Sequence, residues 1–500
     1  MPLFVATLLP DAAPALSVGL CLLAIPLIGL FRRRPNLREG VSLLIATLNF
    51  ALVFAIYLRH EAGQEIQFEL LRVTDQLRLA FRVDDLGLIF ALVASFLWIL
   101  NTLYSIGYMR AHHEHKQTRF YACFAAAIAA AMGAAFASNL FALFVFYEAL
   151  TLVTYPLVMH AETPEAKAGA RRYLTYLLGL SIGFQLPALF LVSYLAGTLD
   201  FEPQGLLNVH AAGASAGILG LTFVLFLVGV AKAALMPFHA WLPAAMVAPT
   251  PVSALLHAVA VVKMGVFTMS RVVFHVFGVD LLARLGLNDI LVWAACFTII
   301  TASLIALGQD NLKRRLAFST VSQLSYILLG IGLLVPMAAT GGLVHIGMHA
   351  ASKITLFFCA GAIMVASHKT EVSQLDGIGR RMPFTMVAFT IGAFSMIGLP
   401  FTAGMVSKWW LVGGAGEGGY GWVLAVFVVS TMLNAAYYLP IVWRAFFRPS
   451  PEGERGLREA PLACVLALSA TALLTVGLFF QPDVLLDLAR GVVHLARSAP

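Results

Sequence analysis

Eight of the 32 basic side chains in this 500-residue chain are lysines, and four of those, Lys232, Lys263, Lys353 and Lys408, fall inside long apolar stretches. Arginines are kept to the polar breaks and stretch ends, with Arg271 and Arg444 nearest to exceptions. The segregation has chemical meaning: arginine does not release its proton in a protein, whereas a desolvated lysine does so readily and can join a relay. A charge at the centre of a bilayer costs at least ~2.5–3.5 kcal/mol, so four such lysines need a reason. Snorkelling accounts for one near a stretch end but not for four. Of the 25 acids, only Glu148 lies in the middle of such a stretch, within Phe146-Tyr147-Glu148-Ala149-Leu150. A fixed ion pair with any lysine would explain it. The functional reading, favoured over that one, makes Lys232 its partner at a variable separation, so that the carboxylate tunes the lysine.

A second constellation is His345-Ile-Gly-Met-His349-Ala-Ala-Ser-Lys353. Spacings of four and four set His345, His349 and Lys353 on one helix face, ~6 Å apart along the axis, a ladder that single waters can link. His257 and Lys263 are six apart and do not share a face, which suits a segment touching two cavities. His275 reads as a hydrogen-bonding packing residue. The His112-His113-Glu114-His115 run lacks a second ligand set and reads as solvated, so no metal is expected. The five cysteines stand singly, without a CxxC pair, which argues against a disulfide framework, an Fe–S cluster or a zinc site. No phosphate loop, nucleophile elbow or haem-ligand pair is present, so the expectation is transport without a cofactor.

These residues must be positioned by membrane helices. With 60% hydrophobic and 11% charged residues and a mean hydropathy of +0.88, the composition excludes an ordinary soluble domain, where about a quarter of residues are charged. The apolar blocks do not alternate as barrel strands would, and each approaches the ~20 residues that cross a ~30 Å core. They predict an all-α polytopic bundle of about 14 spans at 15–31, 41–58, 84–108, 119–137, 140–160, 171–197, 216–236, 252–277, 289–307, 316–335, 341–366, 382–411, 421–446 and 460–481. The first block runs into Arg32-Arg33-Arg34 rather than a cleavage site, so no cleavable leader is expected.

Basic residues concentrate in the odd-numbered connections, while most even ones carry none; the 59–83 segment, with four arginines, and Arg284 are the exceptions. The net charge of +7 is therefore an orientation signal rather than a nucleic-acid footprint, and it places both termini on the outer face of a bacterial-type inner membrane. The 59–83 segment alternates polar and apolar residues, as an outward-facing hairpin would. Two spans contain breakers: the seventh ends at Met236-Pro237, and the twelfth is interrupted by Gly398-Leu399-Pro400. Lys232 precedes the first break and Lys408 follows the second. Broken helices at corresponding places in two halves point to an inverted repeat and to the transport path, because freed backbone groups need a wet or protein-lined cavity.

The runs Phe146–Leu150, Ala231-Lys232-Ala233-Ala234, Phe238-His239-Ala240-Trp241-Leu242-Pro243, Ala248-Pro249-Thr250-Pro251-Val252-Ser253-Ala254-Leu255-Leu256-His257, Lys313–Thr320 and Ser407-Lys408 resemble the antiporter-like subunits of respiratory complex I and of Mrp cation/proton antiporters. The resemblance covers roughly residues 85 to 445. It implies two inverted five-helix repeats, 119–277 (spans 4–8) and 278–446 (spans 9–13), between N-terminal helices in 1–118 and a last helix and tail in 447–500. It further implies that Glu148 and Lys232 form a coupling pair and that Lys263 with His257 connects the halves. His345, His349 and Lys353 would be the central relay, Lys408 the outlet, and Lys313 a further family lysine near the basic-side boundary.

Some features depart from parts of that family. The tail after the last span is short, as in the Mrp-D-like or shorter complex I-like subunits, and span six carries no acid. The expected function is proton translocation within a multisubunit membrane complex, first an Mrp-type sodium/proton antiporter. The alternatives are a complex I-like quinone oxidoreductase, a membrane-bound hydrogenase or an inorganic-carbon uptake complex. Partners would be other membrane subunits, lipid, protons and, in the antiporter reading, sodium, though no carboxylate cage for sodium stands among the spans.

Overall fold

Backbone groups in hydrocarbon must be satisfied within their own segment, so apolar blocks of this length fold as helices. A computed structural model describes residues 10–211, 213–450 and 456–497; residues 1–9, which bear on the leader, and the last three lie outside them. Helices α1 (Ala13–Leu30) and α2 (Pro35–Glu61) lead into a hairpin, β1 (Gln67–Arg72) and β2 (Arg78–Arg82). Then follow α3 (Asp85–Ala111), α4 (Gln117–Ala135), α5 (Leu140–Val158), α6 (Pro164–Ala196), α7 (Ala216–Gly229), α8 (Thr250–Phe277), α9 (Leu287–Leu307), α10 (Leu312–Gly332) and α11 (Pro336–Ser367). The chain closes with α12 (Pro383–Ile397), α13 (Ala403–Glu417), α14 (Gly421–Phe447), α15 (Leu462–Phe480) and the amphipathic α16 (Asp483–Leu495). Among the described residues, 11 helices are long and apolar enough to cross a membrane, and α7 and α12 are shorter apolar ones.

Helix starts follow local chemistry. Asp84, Asn139, Thr163 and Asn311 each accept a hydrogen bond from the backbone three residues on, capping α3, α5, α6 and α10. The odd and even connections gather at opposite ends. At the basic end Lys116 and Arg119 pair with Glu162, Asn311 with Glu371, and Arg444 with Asp376. At the other end the predicted hairpin pairs antiparallel with Gln67 opposite Arg82, and lies against residues 136–138 and 201. Two of its arginines are ion-paired, Arg72 with Glu69 and Arg78 with Asp200, and Arg82 donates to the Phe201 carbonyl.

Helix α11 is the axis of the bundle, packed against α3, α8, α10, α12, α13, α15 and α16. The second break stands where the sequence put it, and the first comes earlier than expected: α7 ends at Gly229, ahead of Lys232, rather than at Met236-Pro237. After Gly229 the chain makes a 3₁₀ turn, Ala231–Ala233, and after Ile397 it turns at Gly398 (φ 95°) and resumes at Ala403. Only glycine serves at Gly265 of α8, where a Cβ would stand 2.1 Å from the Ala233 nitrogen, so α8 packs directly on the first break. A third irregularity had no breaker in the sequence to announce it. Helix α8 opens into π turns at Leu255–Val259 and Val272–Phe277, with a kink at Ala260.

Candidate functional site

The first break places Lys232 on a turn rather than a helix, with its side chain wholly buried. Its Nζ donates to the Tyr147 carbonyl (2.8 Å) and to Thr151 Oγ1 (2.6 Å), and sits 3.1 Å from the Tyr147 ring centre. Trp241 Nε1 donates to the Ala231 carbonyl (3.0 Å) and so satisfies one group freed by the break. The expected Glu148–Lys232 ion pair is not in contact. Successive helical residues point ~100° apart, so when Tyr147 faces Lys232 its neighbour Glu148 is turned aside. Both Glu148 carboxylate oxygens are buried without a protein hydrogen-bond partner. Nor is Glu148 the single buried acid, because Glu39 is 2% exposed at the basic end, where Arg38 and Arg110 hold it.

At the centre, Lys263 Nζ of α8 lies 2.5 Å from His349 Nδ1 of α11. The His349 and His345 ring centres are 5.7 Å apart, so two rungs of the ladder stand as spacing implied. His345 then reaches Ser407 Oγ (2.8 Å) and Gln323 Oε1 (3.2 Å). Ser407 is the residue before Lys408, so the chain of polar contacts runs from α8 across α11 to α13. The third rung diverges. Lys353 turns to Ser319 Oγ (2.9 Å), Tyr438 OH (3.1 Å) and the Leu316 carbonyl (3.4 Å), on α10 and α14. His257 is separated from Lys263 by the π turn and kink and does not touch it. Its ring packs 4.9 Å from that of Phe357 and has no protein hydrogen-bond partner.

Beyond the second break Lys408 Nζ donates to the carbonyls of Met396 (2.6 Å) and Ile397 (3.0 Å), satisfying the end of α12, and lies 5.0 Å from the Tyr326 ring centre. Tyr326 donates to Ser430 Oγ (2.6 Å). Half-buried Lys313 donates to the Ala248 carbonyl (2.6 Å) at the basic end. A cavity lined by Arg172, His239, Asn311, Arg314 and Phe318 opens nearby. Burial pushes the His239 imidazole, on the connection after the first break, below its ordinary range. At the opposite end a cavity is lined by His60, Glu65, Arg82, Asp84, Asp85 and His275.

Sequence reading missed a buried pair here. Arg271, wholly buried, forks onto Asp84 through both terminal nitrogens, and His275 lies 3.4 Å from it. The signal available was the Asp84-Asp85 cap before an apolar run. It also missed the neutral groups that hold the lysines, namely Tyr147, Thr151, Ser319 and Tyr438, and those that hold His345, Gln323 and Ser407. Chemically, the arrangement is a line of proton donors and acceptors buried within the helix bundle.

Residues 137–434, more than half the chain, match the family described as NADH:quinone oxidoreductase/Mrp antiporter, TM. The chain belongs to that family. Residues 72–121 match a second description, NADH-ubiquinone oxidoreductase (complex I), chain 5 N-terminus. The protein is 34% identical over 386 residues to NADH-quinone oxidoreductase subunit N of Desulforudis audaxviator, covering 76% of this chain and 75% of the relative. It is 31% identical over 367 residues to a probable K(+)/H(+) antiporter component of Rhizobium meliloti, covering 73% of this chain but 36% of that longer protein. Its fold is that of a chain in the Mrp complex from Dietzia sp., with a TM-score of 0.87, 23% identity, and 97% of each chain covered. It is thus a multi-pass, antiporter-like membrane subunit of the complex I/Mrp type.

Proposed function

We propose that this subunit translocates protons within a multisubunit membrane complex, along Lys232, Lys263, His349, His345 and Lys408, with Lys353 as a side station. The observation that carries the reading is the buried line from Lys263, hydrogen-bonded to His349, past a 5.7 Å step between the His349 and His345 rings, to the hydrogen bond of His345 with Ser407, beside Lys408. Glu148 acts by approaching or leaving Lys232, and His257 joins the route through α8. Lys313 and the cavity beside His239 serve as the basic-side mouth. Two inverted repeats, 119–277 and 278–446, fit the two broken segments, each with a lysine at its break. The basic end faces the cytoplasm of a bacterial-type inner membrane, so both termini face outward.

The proton flux is coupled to a monovalent cation, sodium first, in Mrp-type antiport, which the family description and the antiporter relative support. A second reading, a proton-pumping arm of a quinone oxidoreductase, is supported by the longer and closer match to subunit N. The complex purified with its partners and placed in proteoliposomes tests both. Lys232→Ala or Glu148→Ala should abolish proton movement while assembly persists, and unchanged movement would refute the route. A sodium gradient driving proton flux selects antiport; flux only on substrate oxidation selects the redox-driven arm.

A further inference from the structure

The His112–His115 run lacked a partner ligand in the sequence, and the fold supplies one. His160, just past the end of α5, returns to this connection between α3 and α4. One ligand atom each from Glu114, His115 and His160 lie within 4.8 Å of one another, with His160 Nε2 3.6 Å from Glu114 Oε2. His160 is wholly buried, yet neither of its ring nitrogens has a protein hydrogen-bond partner. A carboxylate at 3.6 Å is beyond hydrogen-bond reach, and a buried imidazole left so is costly unless something bridges the gap. We propose that Glu114, His115 and His160 form a divalent transition-metal site of the zinc type, independent of the proton route.

Two imidazoles and a carboxylate are a ligand set that suits this class and leaves a fourth position for water. The nearby cations do not oppose it, because Lys116 and Arg119 are both taken up by Glu162 (2.6 and 2.7 Å). His112 is stacked on Tyr108 instead and is not a ligand. Because His160 follows the helix that carries Tyr147 and Glu148, a bound ion would tie that helix to the α3–α4 connection.

The test is a titration of zinc chloride into the detergent-solubilised full-length protein, followed by calorimetry. One tight equivalent is expected. Partners one shell out are commonly worth 10–100-fold in metal affinity, so His115→Ala and His160→Gln should each weaken binding at least ~100-fold. His113→Ala should leave it unchanged. His115 is exposed, so its variant folds and decides the matter even where the buried His160 variant does not. Wild-type affinity in His115→Ala, or loss confined to His113→Ala, overturns the site.

Discussion

His349→Leu is the sharpest perturbation of the proposed route. His349 Nδ1 is the hydrogen-bond partner of Lys263 Nζ at 2.5 Å, and its ring is the step toward His345. All three side chains are wholly buried, so leucine leaves an interval wider than one hydrogen bond can span, filled by apolar atoms. A positioned proton carrier contributes ~10²–10⁴-fold to a transfer step, so proton flux should fall at least ~100-fold. The same change strands the Lys263 amine, a penalty of about 1–3 kcal/mol or more if it is charged. The two effects are separable. In the Lys263→Met/His349→Leu double variant the stranded amine is gone, so thermal stability should recover while transport stays lost. Flux is read by a pH-sensitive dye inside proteoliposomes, and assembly by size exclusion. More than about a tenth of wild-type flux in an assembled His349→Leu complex would refute the reasoning, because no other described group touches Lys263 Nζ.

Three further outcomes follow from buried contacts elsewhere. Lys408→Met leaves the Met396 and Ile397 carbonyls without their donor, and at about 1–3 kcal/mol each the variant should lose roughly 2–6 kcal/mol in detergent melts, as well as transport. Asp84→Ala strands the wholly buried Arg271 and should destabilise by about 3–5 kcal/mol; adding Arg271→Met should recover most of it. Glu114, facing His112, His115 and His160, is held below the usual carboxylate range chiefly by His160. A depressed carboxylate contributes stability that is present above its unfolded value and lost as pH falls through its folded one. With a chelator present, the melting difference between wild type and Glu114→Gln should therefore be full at neutral pH and vanish in acid below the ordinary carboxylate range.

Hydropathy placed the spans because lipid leaves a helix no alternative, and Gly398 with Pro400 announced the second break because they cannot continue a helix; Pro237 marked only the neighbourhood of the first, since α7 already ends at Gly229. The π turns of α8 had no such herald. The first of them, Leu255–Val259, lies where α8 packs on α11, a tertiary contact that local sequence does not encode. The four-residue spacing of His345 and His349 was legible for the same reason that it works, since one helix face is one line. Lys353 left that line because a long, flexible side chain goes to its best partners, and these, Ser319 and Tyr438, come from helices distant in sequence. Glu148 and Lys232 stand apart through a detail of helix geometry: Tyr147 offers Lys232 a carbonyl and a ring, and the residue next to it on the helix points elsewhere.

That detail bears on how such an axis can work. The four lysines inside the spans are held by neutral groups: the carbonyls of Tyr147, Leu316, Met396 and Ile397, the hydroxyls of Thr151, Ser319 and Tyr438, and the imidazole of His349. Among the described residues no carboxylate pairs with any of them. Four charges at the bilayer centre without counter-ions would cost roughly 10 kcal/mol even on the lenient scale, as much as the whole stability of a typical domain. Charging all four at once would therefore be costly, and on the proposed route a proton at one station would disfavour charge at the next. On the proposed route Glu148 is the carboxyl group placed to change that balance. Its oxygens have no protein partner, and it follows directly on Tyr147, whose carbonyl Lys232 already holds. A rotation or shift of α5 moves the carboxylate and that carbonyl together, exchanging a dipole for a charge at Lys232. Helix α5 is thus the element whose motion would load and unload the first station, and fixing it in place should stop transport without touching any lysine.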